Sequence, residues 1–336
     1  MFATRCHLPS VAGIALATAF AVLSITAALA DPLPSWNEGP TKAAIVTFVE
    51  RVTTEGSSDF VPIQERIAVF DNDGTLWVEQ PVPAQVAFEL ACVSANVWKH
   101  PDWDTTQPFK AALAGDTSYL AGIGERGFAE ILVASHEGWA TDDYQTVLMS
   151  WMADTRDARF GRPSTDLVYQ PMLEVIDYFR RSGFEIYIVS GNSADFMRPW
   201  VASVYGIQPD HVIGSTIRTK YEFISGRPQL TRLPEMSRIG DGAGRPAGFY
   251  ESVGRRPIAA FGNADIDFEM LQWTTTAPGP RLGVVIHHTD AQREYAYDRN
   301  TGYGLLDAVL EAAGPNGWLV VDVRKDWKSI FPFETQ

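Results

Sequence analysis

The sequence predicts an α/β protein with a Rossmann-like parallel sheet core and an inserted all-helical cap. Short apolar runs at 67–70, 186–189, 258–261 and 284–286 alternate with helical patterns. Continuous runs of this length are typical of strands covered on both faces, as in a parallel sheet. The first three runs end in polar residues, and a long stretch after the first run has helical periodicity alone. These observations together favour a sheet with a helical insertion.

Composition narrows the class of protein. The chain has 336 residues, of which 46% are hydrophobic and 20% are charged, as in ordinary globular proteins. This length suits one large domain or two moderate ones. The formal net charge is −14, and the sequence contains no run of basic residues. Because such a chain would repel phosphate backbones, we expect no nucleic-acid partner.

The first 30 residues predict a signal peptide. An apolar run from Val11 to Leu29 ends in a small-x-small triplet at 28–30, the pattern of a signal-peptidase site. A retained transmembrane anchor is the alternative, but a glycine and several polar residues interrupt the run. We therefore expect a mature chain from about Asp31 that is periplasmic or secreted and has no membrane contact after cleavage. The sequence leaves the oligomeric state open.

The two cysteines have different predicted fates. Cys6 would leave with the signal peptide, so the mature chain would keep only Cys92 and could form no internal disulfide. Cys92 lies among apolar residues of a helical stretch, which predicts a buried, unreactive thiol.

The elements follow in chain order. An apolar face with helical spacing predicts a first helix at 41–54, before the first strand. The cap is predicted at 81–163, between core segments 31–80 and 164–336, and the polar stretch 220–233 predicts a hairpin added to the core. The predicted helices are 84–99, 109–114, 128–135 and 142–152 in the cap, and 172–181, 193–205, 266–273 and 305–313 in the second core segment.

Polar residues follow the first three predicted strands, at 71–75, 190–192 and 262–267. In an open parallel sheet, ligands bind beyond the carboxyl ends of the strands, so these three loops should converge on one crevice. Each loop alone matches ordinary turn chemistry. All three in this order predict an active site.

In these loops the sequence resembles the haloacid dehalogenase superfamily, in its phosphatase branch. The helices between the first and second motifs are similar to the cap of the phosphoserine-phosphatase-like subgroup. The matching residues are Asp71, Asp73 and Thr75 in the first motif, Ser190 in the second, and Gly262, Asn263 and Asp267 in the fourth.

The resemblance implies Mg²⁺-dependent hydrolysis of a small-molecule phosphomonoester. The ester is doubly negative, so a carboxylate attacks it only where a cation bridges the charges. Asp71 would attack phosphorus to give an aspartyl-phosphate, and Asp73 would protonate the leaving oxygen and later accept a proton from water. The implied Mg²⁺ ligands are the Asp71 side chain, the Asp73 backbone carbonyl, and Asn263 and Asp267 of the fourth motif; all are oxygen donors, which suit Mg²⁺. Asn263 replaces a more usual Asp, so the ligand there is neutral.

Four residues are expected to bind the phosphoryl group. They are Thr75, the Ser190 hydroxyl, Gly191 through its backbone, and Arg245 as the cation of the third motif. Arg245 lies eighteen residues before Asn263, at a predicted helix start. The competing cations for this position are Lys220, Arg238, Arg255 and Arg256.

Glu79 is the predicted substrate-binding residue. It lies eight residues after Asp71, where the resemblance implies a carboxylate that contacts the amine of the substrate. The alternative is a surface or hinge residue. If the contact forms, the leaving group carries a positive nitrogen, as in phosphoserine, phosphoethanolamine or phosphocholine.

Other functions remain as alternatives. A hydrolytic dehalogenase has no alkoxide to protonate, so Asp73 argues against it, and a phosphotransferase of the superfamily would meet few sugar phosphates after export. A non-catalytic phosphate-ester binding module would not need the complete catalytic set. A calcium loop at 71–82 would need Gly and Glu where Leu76 and Val82 stand.

Two further motifs are interpreted as structural. The glycine pattern at 122–127 matches a dinucleotide-binding motif, but it lies within the helical insertion with no strand before it, so we expect a turn between helices. His287 and His288 end a strand, where adjacent side chains point to opposite faces, so they should not bind one metal as a pair.

Overall fold

The structure is a computed structural model that describes residues 1–2 and 31–334. The predicted signal peptide, its cleavage site and Cys6 lie outside these residues, except for the first two positions. Residues Pro32–Gln336 form one compact unit. Within the described residues, no helix has the length and apolar character needed to span a membrane.

A seven-stranded sheet crosses the described part of the chain, in the order β4-β3-β2-β1-β5-β6-β7. All neighbouring strands pair in parallel except β3 and β4, which are antiparallel. The predicted α/β fold with a Rossmann-like sheet is therefore confirmed. The strands are β1 (Ile67–Phe70), β2 (Glu185–Ser193), β3 (Val212–Ile224), β4 (Arg227–Arg238), β5 (Ala259–Gly262), β6 (Leu282–His287) and β7 (Leu319–Asp322).

The sheet extends further at both of its edges than the apolar runs predict. The predicted hairpin is present, but its first strand, β3, begins much earlier and pairs with β2 through Val212 and Ile213. The chain reverses at Ser225 and Gly226, both with positive φ. Strand β7 was not predicted, and it extends the other edge by pairing with β6.

The described residues contain twelve α-helices, which include every predicted helix, most of them with shifted ends. The short helices α4 and α12 were not predicted, and of α9 only the start was predicted. The helices are α1 (Pro40–Thr53), α2 (Ala84–Asn96), α3 (Phe109–Ala114), α4 (Thr117–Gly122), α5 (Gly124–Ala134), α6 (Thr141–Asp154), α7 (Gln170–Arg181), α8 (Ala194–Tyr205), α9 (Gly244–Val253), α10 (Phe268–Thr275), α11 (Ala308–Asn316) and α12 (Val323–Asp326).

The insertion at 81–163, all of it described, contains helices α2 to α6 and no named strand. Helix α4 ends at Gly122 and α5 begins at Gly124, so the glycine pattern is the expected turn between helices. Part of the insertion has a small apolar cluster of its own, which includes Val93, Trp103 and Ile131. Helix α6 instead packs into the main core. The division into cap and core domains stays a prediction.

The central strand explains why the site lies where it does. Along β1, Ala68 and Phe70 face one apolar layer while Ile67 and Val69 face the other, as expected for a strand buried on both sides. The ring of Phe70 stacks on Phe261 of β5 with centroids 4.3 Å apart. This packing fixes the carboxyl ends of β2, β1 and β5 side by side.

Candidate active site

The loop after β1 turns back immediately and requires glycine at its centre. Asp71 donates its backbone N–H to the carbonyl of Phe261, at 2.9 Å. Gly74 has a φ of 72°, and a Cβ there would lie 2.0 Å from Nδ2 of Asn263 and 2.3 Å from Oε1 of Glu79. The loops after β1 and β5 are therefore in direct contact, as the sequence predicts.

Asp71 faces a buried cation. Nη1 of Arg245, in the first turn of α9, lies 2.8 Å from Oδ1 of Asp71 and also contacts Oδ1 of Asp267. Burial raises the pKa of Asp71 well above its ordinary value, and the charge of Arg245 partly opposes this rise. Arg245 is thus the one of the five candidate cations that contacts Asp71, and its role as the phosphate-binding cation of the third motif stays a prediction.

The four competing cations are engaged elsewhere. Lys220 pairs with Glu222, and Arg255 pairs with Glu185 at the opposite end of β2. Arg238 donates to the carbonyl of Gly214, and the guanidinium of Arg256 lies over the ring of Trp273.

Asp73 is held by three donors. Its Oδ1 accepts hydrogen bonds from the indole of Trp77 and from Nδ2 of Asn72, and its Oδ2 accepts from Nδ2 of Asn192 at 3.0 Å. Burial raises the pKa of Asp73, while these hydrogen bonds oppose the rise. Trp77 in turn stacks on Trp200, with ring centroids 4.5 Å apart. The carboxyl group therefore has a fixed position and an increased tendency to hold a proton.

Asp267 closes the loop after β5. Its Oδ2 accepts the backbone N–H groups of Asn263 and Ala264, at 2.9 and 3.1 Å, and its Oδ1 contacts Arg245. A Cβ on Gly262 would lie 2.5 Å from the carboxylate, which explains the glycine before Asn263. Both oxygens of Asp267 thus have partners within the protein.

Asn263 is oriented by two neighbours that the sequence assigned to the substrate. Its Oδ1 accepts the hydroxyl proton of Thr75 at 3.0 Å, and its Nδ2 donates to Oε1 of Glu79 at 2.7 Å. The hydroxyl of Tyr297 also donates to that oxygen. Burial raises the pKa of Glu79 to about 7. The observed contacts of Thr75 and Glu79 support Asn263, and their contacts with phosphate and substrate stay predictions.

The end of β2 forms another side of the site, next to the loop after β1. Ser190 is buried, and its Oγ accepts the backbone N–H of Asn192 at 3.3 Å. The hydroxyl of Ser215 donates to the carbonyl of Gly191 at 2.7 Å and accepts the N–H of Gly240. These bonds fix the end of β2, which lines the same cavity as Asp71, and phosphate binding by Ser190 and Gly191 stays a prediction.

A cavity of about 300 Å³ opens onto these groups. Asp71, Asp73, Ser190 and Arg245 line its inner end. The outer wall is largely apolar and comes from the insertion and the loop before α11; its residues include Val86, Leu120, Phe128, Leu132, Tyr303 and Leu305. The cavity is therefore suited in size to a small molecule, with polar groups and apolar groups in its lining.

Glu125 is a residue that the sequence did not single out. It lies in the first turn of α5, and a Cβ on Gly191 would be 2.6 Å from its Oε1. Burial raises the pKa of Glu125, and Arg245 opposes this rise. The neighbouring Arg126 pairs with Asp241 at 2.8 Å, which ties α5 to the loop before α9. The sequence signal was the turn at 122–127, which we interpreted as structural only.

His288 contacts the loop that follows β1. Its Nε2 lies 2.6 Å from the carbonyl oxygen of Gly74, and its Nδ1 lies 3.0 Å from Oε1 of Glu294. Because a carbonyl only accepts hydrogen bonds, Nε2 carries a proton. His287 instead contacts Asp298, so the two histidines do not act as a pair of metal ligands.

The donor set fits a hard divalent cation. The predicted ligands Asp71, Asp73, Asn263 and Asp267 offer only oxygen atoms and come from two loops in contact. The nearby charges of Asp267, Asp73 and Glu79 raise the pKa of Asp71 in addition to the larger effect of burial. Several buried carboxylates thus share the one positive charge of Arg245. A bound Mg²⁺ would neutralise the negative charge that remains.

The chain is similar to several solved structures, and one of them supports the fold with a TM-score above 0.5. A conserved functionally unknown protein from Anaerococcus prevotii DSM 20548 is 13% identical, with 86% of this chain and 94% of that chain covered and a TM-score of 0.53. A protein with unknown function from Bordetella pertussis Tohama I is 14% identical over 77% of this chain and 99% of that chain, with a TM-score of 0.48. A probable phosphoserine phosphatase from Vibrio cholerae, in its unliganded form, is 15% identical over 77% of this chain and 68% of that chain, with a TM-score of 0.37.

Sequence comparison identifies the family. No curated protein matches the chain. The profile of the haloacid dehalogenase-like hydrolases matches residues 68–272, which is more than half of the chain and includes every strand-end loop from Asp71 to Asp267. The chain therefore belongs to the haloacid dehalogenase-like hydrolase family.

Proposed function

We propose that the protein hydrolyses small phosphomonoesters through an aspartyl-phosphate, with Mg²⁺ as cofactor. The observation that carries this proposal is the pairing of Asp71 with Asp73. Asp71 follows the end of the central strand, β1, and contacts Arg245. Asp73 lies two residues later in the same loop, where three hydrogen-bond donors hold its carboxyl group. This arrangement supports Asp71 as the attacking carboxylate and Asp73 as the group that transfers a proton.

The reaction has two steps. In the first, an oxygen of Asp71 forms a bond to phosphorus as the bond to the leaving oxygen breaks, and Asp73 donates its proton to that oxygen. In the second, Asp73 accepts a proton from water, whose oxygen attacks phosphorus and releases Asp71. Arg245 holds the Asp71 carboxylate in place and balances part of its charge. Ser190 and the backbone at Gly191 bind the phosphoryl oxygens.

The residues that would hold Mg²⁺ are the Asp71 side chain, the Asp73 backbone carbonyl, Asn263 and Asp267. Mg²⁺ bound there would supply positive charge against the dianionic ester. Thr75 and Glu79 hold the amide of Asn263 from both ends, and its oxygen would be the neutral ligand of the set.

Asp73 also argues against the alternative reactions. A dehalogenase would have no use for a carboxyl group that burial inclines to hold a proton. A binding module would gain nothing from that group. A phosphotransferase of the superfamily would use the same two carboxylates, and the release of inorganic phosphate distinguishes hydrolysis from it.

The preferred ester is small and carries a cationic or hydrogen-donating leaving group. The insertion covers the cavity with apolar side chains, which excludes bulky phosphoproteins and nucleic acids. Besides Asp71 and Asp73, three carboxylates line the cavity: Glu79, Glu125 and Asp265, and Asp265 accepts backbone N–H groups at the start of α11. Glu79 and Glu125 would repel the phosphate and would instead favour a leaving alcohol that carries a positive nitrogen. Phosphoserine, phosphoethanolamine and phosphocholine have this chemistry. We also propose, from the sequence of residues 1–30, that the enzyme acts after export.

The test is release of phosphate from p-nitrophenyl phosphate with Mg²⁺ and with EDTA. We expect turnover with Mg²⁺, its loss with EDTA, and a loss of at least about a thousandfold in Asp71→Asn. Asp210→Asn, an exposed and remote carboxylate, is the matched control and should keep wild-type activity. Chelator-resistant turnover, or an Asp71→Asn enzyme within about tenfold of wild type, would refute the mechanism.

A further inference from the structure

Three metal-ligating side chains meet outside the active site. Glu89 and Cys92 lie three residues apart on α2, so they share one face of the helix, and His136 follows the end of α5. One potential ligand atom from each lies within 4.8 Å of the other two. All three side chains are buried, with 0%, 5% and 0% of their surface exposed. We name these residues the Glu-Cys-His cluster.

The cluster contains polar atoms without hydrogen-bond partners. Oε1 of Glu89 and Nε2 of His136 form no hydrogen bond to any described residue, although buried polar groups almost always do. Nε2 of His136 lies 3.3 Å from Oε2 of Glu89. Oε2 also accepts the hydroxyl of Ser135, so the atoms of the cluster without a hydrogen-bond partner among the described residues are Nε2 of His136 and Oε1 of Glu89.

The other side of the His136 ring defines its tautomer. Nδ1 lies 3.2 Å from the carbonyl oxygen of Leu132, which can only accept a hydrogen bond. The proton is therefore on Nδ1, and the lone pair of Nε2 points toward Glu89. Metal-binding histidines are usually held this way, by a backbone carbonyl on the ring nitrogen that does not bind the metal. The hydroxyl of Ser135 likewise donates to Oε2 of Glu89, at 2.8 Å.

The charge around the cluster suits a divalent ion. Arg232 is 1% exposed; it pairs with Asp195 and lies over the ring of Tyr144, 4.0 Å from its centroid. A bound cation would take the place of the acidic protons of Glu89 and Cys92, because these groups bind metals in their deprotonated forms. Loss of both protons would leave the buried group with two more negative charges than positive ones, which a divalent cation would compensate.

We propose that Glu89, Cys92 and His136 bind a divalent transition-metal ion of the Zn²⁺ class. Sulfur, imidazole nitrogen and carboxylate oxygen are the ligands that Zn²⁺ takes in proteins, whereas Mg²⁺ takes oxygen alone. The two sites of this protein therefore select different ions. Three protein ligands leave a fourth position for water.

The ion would join two helices that form the cavity wall. Helix α2 contributes Val86 to this wall and α5 contributes Leu132, whose carbonyl orients His136. A bound ion would fix the separation of these helices, with a structural rather than a catalytic effect. The site does not depend on the proposed phosphatase activity.

The test uses Co²⁺ as a spectroscopic probe of the metal-free full chain, with excess Mg²⁺ present to occupy the oxygen site. We expect a thiolate-to-cobalt charge-transfer band in the near ultraviolet, and one equivalent of Zn²⁺ that displaces the Co²⁺. The chain has two cysteines, so Cys6→Ser is the matched control. The band should persist in Cys6→Ser, where Cys92 is the remaining thiol, and should disappear in Cys92→Ser.

Two further variants test the other ligands. His136→Gln and Glu89→Gln should each weaken Zn²⁺ binding at least about a hundredfold, whereas His100→Gln in the same insertion should not. Absence of the band in Cys6→Ser, or Zn²⁺ affinity unchanged in Cys92→Ser and His136→Gln, would overturn the proposal. A protonated Glu89 that donates to Nε2 of His136 would then explain the cluster. Because the readout is spectroscopic, it gives the same answer whether or not the chain hydrolyses phosphate esters.

Discussion

Asp73 should give the reaction a characteristic pH dependence. Burial raises its pKa above the ordinary value of 3.8, so the folded enzyme keeps the acid form to a higher pH than a free Asp would. The first step needs that proton on the leaving oxygen. The value of kcat/KM for an alkyl phosphate should therefore fall as pH rises through the raised pKa. A pH profile at saturating Mg²⁺ measures this decline.

Replacement of the acid tests the assignment directly. Asp73→Asn should lower kcat/KM for alkyl phosphates by about 10²- to 10⁴-fold and remove the decline. The leaving group of p-nitrophenyl phosphate needs little protonation. The fall in kcat/KM for this ester should therefore be smaller. Equal losses for both classes of ester would assign Asp73 a positioning role in place of proton transfer.

Glu79 and Glu125, which both line the cavity, should have separable effects. Glu125 extends from the insertion over Gly191, whereas Glu79 binds the amide of Asn263. We expect Glu125→Gln to lower kcat/KM about 10- to 100-fold for phosphoserine and phosphoethanolamine but not for glycerol phosphate, as when a charged hydrogen bond is lost. Glu79→Gln should raise the Mg²⁺ concentration needed for half-maximal activity. A substrate ranking changed by Glu79→Gln alone would favour the prediction made from the sequence.

The motif residues could be identified because their spacing is local. Asp71 and Asp73 are two residues apart on one loop, and the strand before them is a clear apolar run. Glu125 and Asn192 could not be found this way, since their roles depend on how α5 and β2 pack around Asp71. Arg245 was identifiable only as one of five cations, because a distance along the chain does not specify which guanidinium is buried.

At the scale of elements, the contact between α2 and the end of α5 should be sensitive to pH in the metal-free chain. Burial raises the pKa of Glu89 from 4.5 to about 8 and lowers that of His136 from 6.5 to about 3. The contribution of Glu89 to stability is complete below about pH 4.5 and is lost as pH rises to 8. The contribution of His136 is complete above about pH 6.5 and is lost as pH falls to 3. The two slopes oppose each other between pH 4.5 and 6.5, where the cluster should be most stable.

Denaturant unfolding in EDTA measures this effect. Between pH 6.5 and 8, the wild-type free energy of unfolding should fall by up to about 1.4 kcal/mol per pH unit more than that of Glu89→Gln. His136→Gln should instead remove the loss on the acid side. Parallel wild-type and Glu89→Gln curves across this range would mean that Glu89 titrates normally.

Strands and helices were predicted where their signal lies in consecutive residues. Strands β1, β2, β5 and β6 begin as buried apolar runs, and these were found. Strand β3 has only two apolar residues before Gly214, so its pairing with β2 determines its extent. Helix α4 has six residues, and its start depends on the Asp116 side chain accepting the N–H of Tyr119. Such short elements depend on caps and neighbours more than on periodicity.

At the scale of the whole molecule, the parallel sheet and the helical insertion followed from the sequence, but the order of the strands and the shape of the cavity did not. The insertion packs partly on its own apolar cluster and partly on the main core through α6. Whether its helices leave a gap over Asp71 depends on side-chain volumes at that contact. The sequence does not give the angle and distance at which these helices cross, so it does not show which side chains meet at that contact.

Export should leave a defined N-terminus. If residues 1–30 are a signal peptide, protein recovered from the periplasm or the medium should begin at Asp31, as N-terminal sequencing would establish. Bulky residues in place of Ala28 and Ala30 should block cleavage and keep the chain on the membrane. Recovery of an unprocessed chain from the cytosol as the main product would contradict the proposal.

The contact between Trp77 and Asp73 gives the molecule an optical probe of its own. The indole that donates to the carboxyl group also stacks on Trp200, so a change of charge on Asp73 alters the electric field across a fluorescent pair. Emission that is present in the wild type and missing from Trp77→Phe can follow that charge during a single turnover. Proton transfer and phosphate release could then be timed separately, without any added dye.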